Sequence, residues 1–287
     1  SRHPAACASA ALGPGRADAA VAGVTLLGRV WHACRRWSDN RTLRKRPIPD
    51  ELWHLTVERY RFLSWRSEDD LTRLRELATL FLDRKEFFGA HGLIVTDEMA
   101  VAIAAQAALP ILHLGLGLYE GFVGIVVHLD QVVARREEID ENGIVHQFDE
   151  ELSGEAMQGG PVMLSWHDVE AADHSSEWGY NVTIHEFAHV IDMAGGAADG
   201  TPPMPHRQAR DHWLQVMGSA YERFCLTVRA CRPSGLDPYA AHCLEEFFAV
   251  TSESFFVDPL SLQSEFPDVY ALLRTYYAQD PAAFAGP

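Results

Sequence analysis

The sequence lacks an apolar run long enough to cross a membrane, which takes roughly 20 residues. The early candidate, Ala19–Leu27, is short and is cut off by Arg29. No transmembrane segment is expected. Basic residues are scarce: 24 Lys and Arg stand against 40 Asp and Glu, a net charge of −16. A general nucleic-acid binder needs cations to neutralise phosphates, so direct nucleic-acid binding is not expected. Cysteine is also sparse. Cys7, Cys34, Cys225, Cys231 and Cys243 are odd in number and contain no CxxC pair. That argues against a disulfide framework and against a cysteine zinc site, and fits free thiols in a reducing, cytoplasmic compartment. No internal repeat is present.

What basic charge there is lies at one end. Residues 1–46 hold 9 basic side chains and only Asp18 and Asp39 as acids, a balance of 9 − 2 = +7. The order of charged, apolar and small residues fits a signal peptide poorly, and the run Arg41–Arg46 comes too late for one. This stretch reads as a flexible basic tail or a misassigned start. Pro47 and Pro49 then open a single domain over 47–287.

Within that domain, Glu51–Trp65 has a helical pattern. Ser67 followed by Glu68, Asp69 and Asp70 predicts a capped helix start, and Leu71, Leu74, Ala78, Phe81 and Leu82 continue it. Asp97–Leu109 is a further apolar helix, ended by Pro110. The apolar runs Ile111–Leu118 and Phe122–Leu129, bounded by glycines, and the short Val162–Trp166 read as buried strands. Tyr180–Ala194, Arg207–Ala230, Ala241–Val257 and Pro267–Ala278 read as helices. The expected fold class is α+β, with helices before and after a small sheet.

Chemistry enters at His185–Glu186–Phe187–Ala188–His189, an HExxH pattern. Residues four apart share a helix face, so His185 and His189 can point both imidazoles at one ion. Glu186 is placed to act as general base on the attacking water. The surrounding Val182, Ile184, Phe187, Val190 and Ile191 predict a buried helix, where two histidines and a glutamate need partners. Asp192 and Gly195 stand where a metzincin would have glycine and its third histidine, so that class is excluded. A carboxylate from Leu244–Glu253 is the alternative third ligand, and Glu245, Glu246 and Glu253 are on offer. Glu246 and Glu253 are two turns apart on nearly one face; Glu245 points about 100° away from Glu246.

The words His185–His189, Leu244–Val250 and Ser252–Glu253, with Gly160–Trp166 and the lead-in Gly179–Asn181, resemble the Mlc titration factor A family of bacterial zinc-dependent peptidases. The resemblance runs from Pro49 to Asp280. It implies a gluzincin with a zincin-like core similar to that of anthrax lethal factor. It also implies one Zn2+ per chain on His185, His189 and Glu246, Glu186 as base, and Tyr239 as a donor to the oxyanion. Glu253 is expected to hold a ligand imidazole from behind. Family members cleave short peptides or aminopeptidase substrates, and the founding member binds the transcriptional repressor Mlc. The expected activity is thus aminopeptidase-like hydrolysis of short peptides, with Val162–Trp166 as a candidate edge for an extended substrate. The rival expectation is a binding module that sequesters a repressor and keeps zinc for structure.

Overall fold

The computed structural model describes residues 33–139, 145–152, 154–175 and 179–285. The chain divides into two compact units, residues 1–46 and 47–287. Within the first, residues 33–45 are helical (α1), while the rest of the tail expectation, over 1–32, lies outside the described residues.

The second unit opens with α2 (Asp50–Arg59), a 3-10 turn at Arg61–Ser64, and α3 (Glu68–Arg84). The helix expected over Glu51–Trp65 therefore stops early. Tyr60, Phe62 and Leu63 are all buried, a wider face than one α-helical turn presents, and the backbone leaves the α-helix to turn all three inward. Ser67 caps α3, accepting a hydrogen bond from Asp70 N. Strand β1 (Glu86–Gly89) leads to α4 (Asp97–Ala108), capped by Thr96. The strand expected over Ile111–Leu118 is not one. Residues 110–114 form turns, Gly115 takes φ +83, and Leu116–Tyr119 is a 3-10 helix. Ile111 and Leu112 are buried in those turns. A short apolar run says that a segment is buried and leaves its shape open.

Strands β2 (Gly124–His128), β3 (Val132–Ile139), β4 (Val145–Leu152), β5 (Gly154–Ala156) and β6 (Val162–Ser165) follow. β3 and β4 pair with each other as an antiparallel ribbon. The other four make a sheet in the order β1-β2-β6-β5. β1, β2 and β6 run parallel, and β5 runs antiparallel to β6. The expectation that Val162–Trp166 forms an edge is thus corrected. β6 lies inside the sheet between β2 and β5, and the edge belongs to the three-residue β5.

After α5 (Trp166–Glu170) and α6 (Ala172–Ser175) come α7 (Val182–Met193), α8 (Arg207–Arg229), α9 (Leu244–Val257), α10 (Pro259–Glu265) and α11 (Pro267–Tyr277). α9 starts three residues later than its apolar pattern suggests, because Cys243 is extended and Pro238–Ala241 forms a separate 3-10 turn. Aromatic rings fix the two helices that matter most. On α7, Phe187 meets Phe81, Tyr119 and Phe122 with centroids 5.0–5.8 Å apart. On α9, Phe247 packs on Phe224 and Phe266, and Phe248 on Trp213.

The start of α7 is also pinned by polar contacts. The Asn181 side chain accepts from Ile184 N at 2.9 Å and donates to Gln106 Oε1 at 2.8 Å, both in the core. Replacing Asn181 by Ala removes a helix cap and strands a buried amide. We expect a loss of about 2–3 kcal/mol, seen as a lower denaturant midpoint with unchanged slope. An unaltered midpoint would mean that the aromatic packing alone seats the helix.

Candidate metal centre

Two helices supply the polar cluster. Asn181 caps α7, which then carries His185 and His189 one turn apart on the face opposite Phe187. α9 packs against it and brings Glu246 from its first turn. Three atoms converge. His185 Nε2 lies 3.1 Å from His189 Nε2 and 3.1 Å from Glu246 Oε2, and the latter is 3.4 Å from His189 Nε2. Ligand atoms about 2.0–2.2 Å from a tetrahedral zinc stand about 3.3 Å from one another, so the triangle has the size of three corners of such a site. Glu246 Oε2 is buried and accepts no hydrogen bond of normal geometry. An anionic oxygen left so in a protein interior calls for a cation. Among the described residues, His185, His189 and Glu246 are the one group of this kind that could hold a metal ion.

Glu253 stands behind the cluster. Its Oε1 is 2.7 Å from His185 Nδ1, and its Oε2 accepts from the Asn181 backbone N–H at 2.6 Å. A carboxylate on Nδ1 keeps the proton there and leaves the Nε2 lone pair to face the centre. The same carboxylate ties α9 to the first residue before α7.

Burial tends to push the Glu246 carboxyl up, but the imidazoles of His185 and His189 outweigh it and hold the group well below the usual carboxylate range. Glu186 behaves differently. It is only 5% exposed, and burial raises its carboxyl above the ordinary value despite the pull of His185 and His189. Two neighbouring carboxylates are thus set to opposite tendencies, Glu246 toward the anion and Glu186 toward the protonated form.

The centre opens into a cavity of about 210 Å3 lined by Gly154, Ala156, His185, Glu186, His189 and Tyr239, among others. Tyr239 is 44% exposed, its ring 6.2 Å from that of His185 and stacked on His242. Every residue singled out from the sequence therefore comes to one place. The wall formed by β5 was missed. At Gly154 an added Cβ would stand 2.6 Å from Glu186 Oε1, so the strand backbone lies directly against that carboxylate. Met193, Ala198 and Glu245 complete the lining and were not anticipated there. Helical phasing turns Glu245 away from the triangle, and the cavity is wide enough to include it all the same. Asp192, which departs from the metzincin pattern, is fully buried. Burial pushes its carboxyl up to about 6 while it accepts from Gly200 N at 2.7 Å, holding the loop that carries Ala198.

Comparison with known proteins shows the family. Residues 34–278 match the family described as "Glucose-regulated metallo-peptidase M90". Mlc titration factor A of Edwardsiella ictaluri is 38% identical over 217 residues, covering 75% of this chain and 82% of its own length. Mlc titration factor A of Pectobacterium atrosepticum is 35% identical over 221 residues, 76% and 82% of the two chains. An uncharacterized protein of Synechocystis is 32% identical over 248 residues, 85% and 90% of the two chains.

Proposed function

The chain belongs to the glucose-regulated metallo-peptidase family, and from that premise we propose that it hydrolyses short peptides in an aminopeptidase-like manner, with one zinc ion held by His185, His189 and Glu246. The observation that carries this reading is the triangle of ligand atoms, 3.1, 3.1 and 3.4 Å on its sides, closed by a buried carboxylate oxygen with no other partner. Two imidazoles and one carboxylate, leaving a fourth position for water or substrate, are the donor set of hydrolytic zinc. A zinc ion held there supplies Lewis acidity, polarising a carbonyl and making water more acidic.

The protein's own groups do the rest. Glu186, whose buried carboxyl has a raised proton affinity, takes the proton of the attacking water and returns it to the leaving amine. Tyr239 donates its phenol proton in a hydrogen bond to the oxyanion. Glu253 keeps His185 in the ligating tautomer. The backbone of β5, at the edge of the sheet and against Glu186, aligns an extended substrate, the part first expected of β6.

The test is metal dependence. Zinc-loaded protein is expected to cleave short peptides, to lose the activity on chelation and to regain it with zinc. Hydrolysis that survives complete removal of metal would sink the reading.

Binding of an Mlc-type transcriptional repressor is a second reading, favoured by the name that relatives at 33–38% identity carry. It is compatible with the first. A purely structural zinc would close all four positions with protein ligands, whereas three ligands beside a buried base support the enzyme. A cytoplasmic location belongs to the same proposal. It rests on the repressor as partner and on the free thiols of Cys34, Cys225, Cys231 and Cys243. Among the described residues no helix is long and apolar enough to cross a membrane.

A further inference from the structure

Next to the metal centre lies a second cavity, of about 410 Å3. Met193 is common to the walls of both. The remaining large side chains around the second cavity are Leu118, Phe122, Met157, Val162 and Val190. Its polar side chains are Glu120 and Gln158, and it has no basic one. A cavity of this size and lining takes apolar groups, since ligand pockets of roughly 300–1,000 Å3 are mostly apolar with few polar contacts.

Its position relates it to the chemistry. Val190 directly follows His189, and Met193 lies one turn farther along α7, about 6 Å from that ligand at 1.5 Å per residue. An extended peptide advances about 3.3 Å per residue, so this distance equals about two residues. Another part of the lining is the turn that continues from the edge strand: Met157, Gln158 and Gly159 follow Ala156 of β5. Residues 154–156 border the first cavity and residues 157–159 the second, so a chain laid along β5 with its reacting carbonyl near Glu186 passes from one to the other within about two to three residues. The walls are held in place. Gln158 Nε2 donates to Gly196 O at 3.0 Å, tying the turn to the loop after α7. Lys85 Nζ donates to the carbonyls of Tyr119 and Phe122, fixing the loop beneath.

We propose that this cavity is a substrate pocket for a bulky apolar side chain, Leu or Phe in kind, about two residues from the bond that is cut. The proposal rests on the peptidase reading above. It makes the preferred substrate an apolar oligopeptide, because a single aminoacyl derivative is too short to reach the pocket.

The test is kcat/KM of the zinc-loaded protein on a peptide series in which each position on either side of the cleaved bond is Phe, Leu, Ser or Asp. Phe or Leu at one position two residues from the bond is expected to exceed Ser by about 10- to 100-fold, the value of burying such a side chain. Asp there is expected to be the poorest. Ala194→Phe fills the pocket from its exposed mouth and is expected to abolish the preference, so that the Phe, Leu and Ser peptides are cleaved with similar kcat/KM. Met157→Asp, on an exposed turn, repeats the test should Ala194→Phe fail to give a normal thermal melt. Cleavage of the series without an apolar preference, or a preference that survives both variants, would overturn the pocket and spare the peptidase reading. Cleavage of no peptide at all would overturn both.

Discussion

Glu186→Gln is expected to lower kcat by about 10²–10⁴-fold while zinc content and KM stay close to those of the parent. The carboxyl lies beside the ligand triangle but is not part of it, so its loss leaves the three donors in place. Gln keeps the shape that fits against Gly154, where the strand backbone leaves no room for a larger group. It cannot accept a proton near neutral pH. The deficit therefore falls on the transition state and appears in kcat. A thermal melt matching the parent serves as the control for folding. A zinc-loaded variant with undiminished kcat would remove the hydrolytic mechanism and leave repressor binding as the better account. Repressor binding unimpaired in the same variant would separate the two roles.

The second large effect is on the metal itself. His185→Ala or His189→Ala is expected to reduce zinc from about one per chain to near none, because two donors rarely hold the ion against competition. Glu246→Gln is expected to weaken both binding and activity strongly. It replaces a carboxylate donor with a neutral amide. Glu253→Gln falls in between, at about 10–100-fold in zinc affinity, the usual cost of losing the partner that orients a ligand. Glu245→Gln is expected to leave zinc content unchanged, since its carboxylate lines the cavity outside the triangle. Zinc analysis of the purified variants after dialysis against a weak chelator reads this order directly. Full occupancy in both histidine variants, or a loss in Glu245→Gln exceeding that in Glu246→Gln, would overturn the assignment.

Helical periodicity made part of the site legible, while the choice of Glu246 as ligand and of Tyr239 as donor came from the family resemblance. His185 and His189 had to share a face once their segment was helical. Glu246 separates from Glu245 by 100° of turn, and Glu253 returns to the same side two turns later. Long apolar stretches made α7 and α9 recognisable. The sheet was less legible, for reasons of length and pattern. β5 is Gly154–Glu155–Ala156, too short and too weakly apolar to alternate. β1 is four residues at the end of a long helix. β3 and β4 carry runs such as Arg135–Glu138 and Asp149–Glu151 with no apolar alternation to mark them. Ile111–Leu118 erred the other way, since burial in turns writes the same apolar run as burial in a strand.

If β5 aligns a substrate as proposed, the contact between Gly154 and Glu186 limits what that strand can read. With no side chain at the nearest position, recognition there comes down to main-chain hydrogen bonding, which is blind to sequence and sensitive to conformation. A segment already engaged in its own helix or sheet has no backbone groups to offer. A loose, extended stretch has a full set. On that proposal, the geometry at one glycine would sort chains by whether they are folded, before any side chain is read.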